Sequence, residues 1–407
     1  MARVGESDFT RQRSLPLPLL LTMLLNLRKG AIQDELDRFF EVLDDRPLTQ
    51  GITASALCQA RKKLNPLALM ALTSRLVASF YERFEVRRWR GLRLLAVDGS
   101  TARLPHTPDV VAAFGEPPKD ASVPLARLSC LYDVLNGITL EADIAPRSDG
   151  ERVLAGEHLA ATRADDLVLY DRGYPAFWLF ALHAREQRHF CARVPVGFSR
   201  EIKAFVDSGS ASATLMLAPN EEARRQCARY ALPHDPLTVR LIRVALPGGG
   251  IEVLATSLLD EPAFPTDCFG QLYHQRWGIE ENYLTHKYRL EIENFSGKSA
   301  HVVRQDFYAK LFTVNLTAVI AWVAQAIADR RLASRRRPYK VNFANALSKM
   351  KDNLVRLFVG SSVREILTRL AWAMAGAVEA VRPGRSSPRN FKKISQRQFH
   401  PNLKGCR

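Results

Sequence analysis

Apolar residues recur at helical spacing early in the chain. Leu36, Phe39, Phe40 and Leu43 line one side of segment 32–43, and segment 67–80 repeats the pattern. The apolar run 15–27 is interrupted by Pro16 and Pro18. It falls short of the ~20 residues that a bilayer-spanning helix needs, and it reads as a buried helix. The pattern then shortens. Residues 92–97 form an apolar run of strand length that stops at Asp98-Gly99-Ser100. Runs 126–134 and 138–144 flank Asn136-Gly137, two residues that accept positive φ and so predict a tight hairpin. A helix over 151–162 follows, then a buried strand over Asp166–Tyr170 that ends at Asp171-Arg172-Gly173-Tyr174. A helix over 176–185 and a strand over 189–194 come next. Two further strand-like runs, 238–246 and 251–258, surround the Gly-rich turn 247–250 and predict a second hairpin. Helical spacing returns in the remainder, where 311–327 is largely apolar.

This order predicts an α/β fold. The core is an RNase H-like domain with a mixed five-stranded sheet covered by helices, its first and fourth strands side by side. A β-rich insertion interrupts the core, and helical domains stand before and after it. The expected boundaries are a helical N-terminal domain over 1–88, the first part of the core over 89–194 and the insertion over 195–262. The last core helix then occupies 263–300, a helical region 301–381 and a basic tail 382–407.

Charge changes the picture more than composition does. Lys and Arg number 58 against 42 Asp and Glu, a net charge of +16. Such a field draws in a polyanion, most simply nucleic acid. Segment 47–64 adds a Gly-containing turn and a short helix carrying Arg61, Lys62 and Lys63. It reads either as a helix-turn-helix entering a DNA groove or as a small bundle with a wet basic face, and spacing alone does not choose. The six cysteines are scattered with no Cys-x-x-Cys, the pattern of reduced thiols in a cytosolic protein.

Two aspartates share a setting. Asp98 and Asp171 each close an apolar strand and precede a Gly-containing turn. In open α/β sheets ligands sit beyond the carboxyl ends of strands, so adjacent parallel strands would bring both carboxylates to one cation. Taken alone, each also suits an ordinary turn or helix cap. A third acid stands in 273–287. If that stretch is one helix, Tyr273, Arg276, Glu280 and Lys287 share a stripe of roughly 60°. Such a stripe suits a phosphate gripped by cations beside a metal-binding carboxylate. A solvated helix with an Arg276–Glu280 ion pair is the plainer alternative. Carboxylates without His or Cys favour Mg2+ or Mn2+, and two such ions ~4 Å apart promote in-line phosphoryl transfer. No phosphate-binding Gly-x-x-x-x-Gly-Lys loop, Gly-x-Ser-x-Gly elbow or Gly-x-Gly-x-x-Gly occurs.

On these residues the chain resembles the DDE transposases of bacterial insertion sequences, of the insertion-sequence-four type. That family carries Tyr-x2-Arg-x3-Glu-x6-Lys, matched by Tyr273, Arg276, Glu280 and Lys287. Its first acid opens Asp-Gly-(Ser/Thr), as at Asp98, and its second Asp-(Arg/Lys)-Gly-Tyr, as at Asp171. Segments 55–64 and 292–298 resemble family stretches too. The resemblance implies that Asp98, Asp171 and Glu280 are catalytic and ligate two Mg2+ ions, with Mn2+ able to substitute. It implies that Tyr273, Arg276 and Lys287 contact the DNA backbone; Arg172 either touches DNA or pairs locally. It further implies a cytoplasmic, bacterial enzyme that cuts double-stranded DNA at inverted-repeat ends and joins it to target DNA, working as a homodimer and without a membrane. Two rivals remain at this point: a structure-selective nuclease on the same fold, and a DNA-binding regulator with no enzymatic activity.

Overall fold

The computed structural model describes residues 2–10, 15–28, 30–44, 52–246, 249–284, 291–360 and 362–381. Lys287, the basic tail 382–407 and the opening of segment 47–64 lie outside the described residues. The chain divides into two compact units. One comprises Met1–Phe84, Ala102–Ala126 and Thr285–Arg407; the other comprises Glu85–Thr101 and Arg127–Leu284.

The first unit is helical. Its axis is a helix over Ala300–Arg331, opened by the Ser299 hydroxyl accepting from the Val302 N–H. Its length and apolar composition would suffice to cross a membrane, yet Phe307, Phe312, Val314 and Ile320 are buried. Helices Leu67–Arg83, Phe343–Val359 and Val363–Ala375 pack along it. The expected helix over 32–43 forms as Ile32–Asp44, and the run 15–27 forms Leu17–Asn26.

Segment 54–61 is helical, but it does not offer Arg61 to DNA. Arg61 is 2% exposed. Its Nε donates to Gln305 at 2.9 Å, one terminal nitrogen to Asp306 at 2.7 Å and the other to the Ser296 hydroxyl. Burial pushes the Asp306 carboxyl up, but Arg61, Lys310 and Ser296 outweigh it and hold that carboxyl below its ordinary range. A guanidinium buried and paired in this way is not presented to a phosphate. Lys62 remains exposed, and Lys63 lies 3.9 Å from Asp8.

The second unit holds the sheet. Its strands are β1 (Arg93–Arg103), β2 (Leu125–Asp133), β3 (Ile138–Pro146), β4 (Asp166–Tyr170) and β5 (His189–Val194), then β6 (Ser212–Leu217), β7 (Leu237–Ala245) and β8 (Ile251–Thr256). Their order is β3-β2-β1-β4-β5-β8-β7-β6. The expected hairpin forms between β2 and β3, with Gly137 at φ +72° in its turn. β1 pairs parallel with β4, and β4 parallel with β5. First and fourth strands are thus neighbours. Leu94, Leu95, Ala96, Leu167, Val168 and Leu169 are fully buried, as expected of strands covered on both faces.

The sheet has eight strands rather than five. The insertion does not stand apart, because β8 pairs antiparallel with the edge of β5 and β7 and β6 follow. Nor is it only β. Helix Arg200–Ser208 starts at a Ser199 cap and ends at left-handed Gly209, and helix Glu221–Arg229 starts at an Asn220 cap.

Candidate active site

The register of the central strands brings two acids together. Leu95 stands opposite Val168 and Ala96 opposite Leu169. Carried two residues further, the same register sets Asp98 beside Asp171, where pairing has ended and the strands are free to part. β1 does not stop at Asp98; it runs on through Gly99-Ser100 to Arg103. Gly99 has a structural reason: a Cβ there would lie 3.3 Å from the carboxyl carbon of Glu151.

Each aspartate accepts a backbone hydrogen bond from a glycine just after it. Asp98 Oδ1 accepts the Gly99 N–H at 2.8 Å, and Asp171 Oδ1 accepts the Gly173 N–H at 2.7 Å. Arg152 Nε donates to the Gly173 carbonyl at 3.0 Å and braces the second turn from outside. Arg172 is exposed in that turn.

The stretch around Glu280 is not one helix. Helix Cys268–His274 ends, and a new one runs over Trp277–Leu284. Between them the Gln275, Arg276, Gly278 and Ile279 amides each bond back to the carbonyl three residues before, a tight turn. The single stripe expected of Tyr273, Arg276 and Glu280 is therefore broken at Arg276. The Arg276–Glu280 pair forms nonetheless, at 3.0 Å. Gly278 lets the second helix approach the β2–β3 connection: a Cβ there would lie 3.5 Å from that of Val134. Tyr273 is 5% exposed, and its hydroxyl donates to the Tyr170 carbonyl at 3.3 Å. Arg276 is 6% exposed, and its guanidinium lies 5.7 Å from the Tyr273 ring and 5.3 Å from that of Trp277. Both residues expected to contact DNA are thus buried against their neighbours.

Asp98 feels the charges of both other acids. Burial pushes Asp98 from 3.8 up to about 6. The Gly99 N–H and Arg276 oppose the rise, while the charges of Asp171 and Glu280 add to it. Tyr174, which sequence reading met only as part of a motif, belongs here too. Its hydroxyl is buried without a hydrogen-bond partner among the described residues. Burial raises its pKa well above 10, helped by Asp98, Glu151 and Asp171.

A divalent cation fits this donor set. The three groups are hard carboxylates, and crowding penalises their negative charge where an added cation would favour it. Among the described residues no three His, Cys, Asp or Glu side chains form a ready cage. Each acid instead holds a protein donor: Gly99, Gly173 or Arg276.

Residues 89–316 match the family described as the transposase DDE domain. The chain is similar to the Escherichia coli transposase InsG of insertion sequence element IS4, 26% identical over 75% of this chain and 70% of that protein. It is also similar to the putative transposase InsZ of the same organism, 27% identical over 40% of this chain and 55% of that one. Among solved structures it resembles the piggyBac transposase synaptic complex with hairpin DNA, at a TM-score of 0.44 and 9% identity over 91% of this chain and 76% of that chain.

Proposed function

Because the chain belongs to the transposase DDE-domain family, we propose that it excises and reinserts its element by cut-and-paste transposition. It cleaves double-stranded DNA at inverted-repeat ends and joins the freed 3′ ends to target DNA. The observation that carries this reading is the parallel β1–β4 pairing, whose register sets Asp98 beside Asp171. The raised pKa of Asp98, to which Asp171 and Glu280 both contribute, supports it. The mixed α/β sheet fits an RNase H-like core, with β6–β8 as an extension of it.

In this mechanism Asp98, Asp171 and Glu280 would hold two Mg2+ ions, with Mn2+ able to substitute. Bound there, such ions would supply activation of a water or a 3′-hydroxyl and stabilisation of the departing oxygen. The protein's own part is placement. Glu280 would supply the third carboxylate, and the buried Arg276 paired with it would hold that side chain in position. Tyr273 keeps Arg276 in place through ring contact. Lys287, Arg172, Lys62 and Lys63 contact the DNA backbone. The active form is a homodimer on paired ends in the bacterial cytoplasm.

Asp171→Ala tests the site. It should leave affinity for the element's end DNA unchanged or improved, while cleavage in Mg2+ disappears. Cleavage that persists would remove Asp171 from the chemistry. Joining of the cleaved 3′ end to a target duplex separates a transposase from a nuclease, which leaves that end free.

A further inference from the structure

Beside the Asp171 turn lies an open cleft of about 470 Å3, lined by Arg127, Arg152, Arg229, Glu151, Trp178 and Tyr230. It adjoins the acids at two points. Gly173 of the Asp171 turn forms part of its wall, and Glu151 is the residue packed against Gly99, next to Asp98. The three guanidiniums come from three separate elements: β2, helix Glu151–Glu157 and helix Glu221–Arg229. Among the described residues Arg127 alone of the three is ion-paired, with Glu151. Even so, its Nε is buried with no acceptor among the described residues. Arg152 donates its Nε to the Gly173 carbonyl and makes no other hydrogen bond among the described residues. Arg229 is exposed, lies 5.8 Å from the Tyr230 ring and has no acidic partner among the described residues. Between the cations, Trp178 and Tyr230 pack with ring centres 4.6 Å apart and give an apolar floor.

Cations spread over three elements and separated by aromatic rings suit a chain of phosphates better than one anion. A nucleic-acid strand presents that alternation of phosphate and apolar base or sugar face. We infer that this cleft carries the phosphodiester backbone of the DNA strand running away from the scissile phosphate, with Arg152 and Arg229 on separate phosphates. The inference rests on the proposed reading of the acids as a DNA-cleaving centre.

The test uses the full chain with Ca2+ in place of Mg2+ and two fluorescein-labelled probes, a mixed-sequence 20-base single strand and the corresponding duplex. Arg229→Ala is compared with Arg224→Ala, an equal charge loss at an exposed position on the same helix that does not line the cleft. Arg229→Ala should bind at least one probe roughly three- to tenfold more weakly than Arg224→Ala, and its salt slope should fall by about 0.7 to 0.9. Arg229→Lys should recover most of the loss. Weakening on the single strand alone assigns the cleft to unpaired DNA, and weakening on both assigns it to the backbone of a duplex. Equal binding by the two alanine variants on both probes would overturn the inference. Cleavage in Mg2+ by the wild type, lost in Asp171→Ala, is scored in parallel. If that fails, the reading of the acids is at fault; if it holds while Arg229→Ala binds like Arg224→Ala, only the cleft is misassigned.

Discussion

Asp98→Asn should make the metal-free protein more stable while ending catalysis. The native carboxyl holds its proton up to about pH 6, whereas its ordinary value is 3.8. Across that window the native state binds more protons than the unfolded chain, so stability falls as pH rises. The gap is about two pH units, equivalent to ~3 kcal/mol above pH 6. Asp98 is partly exposed, and solvent screening reduces the effect to ~1–2 kcal/mol. The amide keeps an oxygen for the Gly99 N–H and lacks the charge that Asp171 and Glu280 repel. Thermal unfolding in EDTA at pH 7.5 should show a midpoint raised by ~2–4 °C, given the small shift per kcal/mol in a chain of this size. At pH 3 the gain should nearly vanish, because both states of the wild type are then largely protonated. Adding Mg2+ should reverse the order at neutral pH. A cation at a hundred times its Kd stabilises the wild type by ~2.7 kcal/mol, and the amide variant gains less. A variant that unfolds earlier than wild type in EDTA, or a gain that does not depend on pH, would refute the electrostatic account of the site.

Other outcomes follow from the same structure. Arg61→Met strands the buried Asp306 carboxylate and should cost ~3–5 kcal/mol in urea unfolding, with partial recovery on adding Asp306→Leu. Burial pushes His183 down to about 3, so it is neutral in the fold; its stabilising contribution is present above 6.5 and lost as pH falls towards 3. Acid unfolding followed by circular dichroism should accordingly be shallower in His183→Gln. Gly278→Ala should be tolerated, since its Cβ meets Val134 at ordinary contact distance. Gly278→Leu should displace the helix of Glu280, and cleavage should fall at least tenfold with a much smaller change in the unfolding midpoint.

Much of the core was legible because local chemistry and global fold agree there. Asp98 and Asp171 each follow a short apolar run that can only be a covered strand, and Asn136-Gly137 dictates its turn. The continuation of β1 past Asp98 was not legible, because Gly99 and Ser100 read as a turn while the chain stays extended. The break at Gln275–Arg276 was hidden for the opposite reason. Spacing across 273–287 fits an unbroken helix, and only Gly278 hints at a close approach. Arg61 carried no local sign of its partner, since Asp306 lies far along the chain and charged residues default to the surface. The hairpin of β7 and β8 was visible, but its attachment to β5 was not, because which edge a hairpin joins is not encoded in its own alternation.

The antiparallel bond row between β5 and β8 has a practical consequence for anyone trimming this protein. Cutting out 195–262 to isolate a minimal core would lay bare a line of unpaired amides and carbonyls along β5. Such a margin recruits strands from neighbouring molecules, so the shortened protein should come out of solution unless the graft supplies a replacement border.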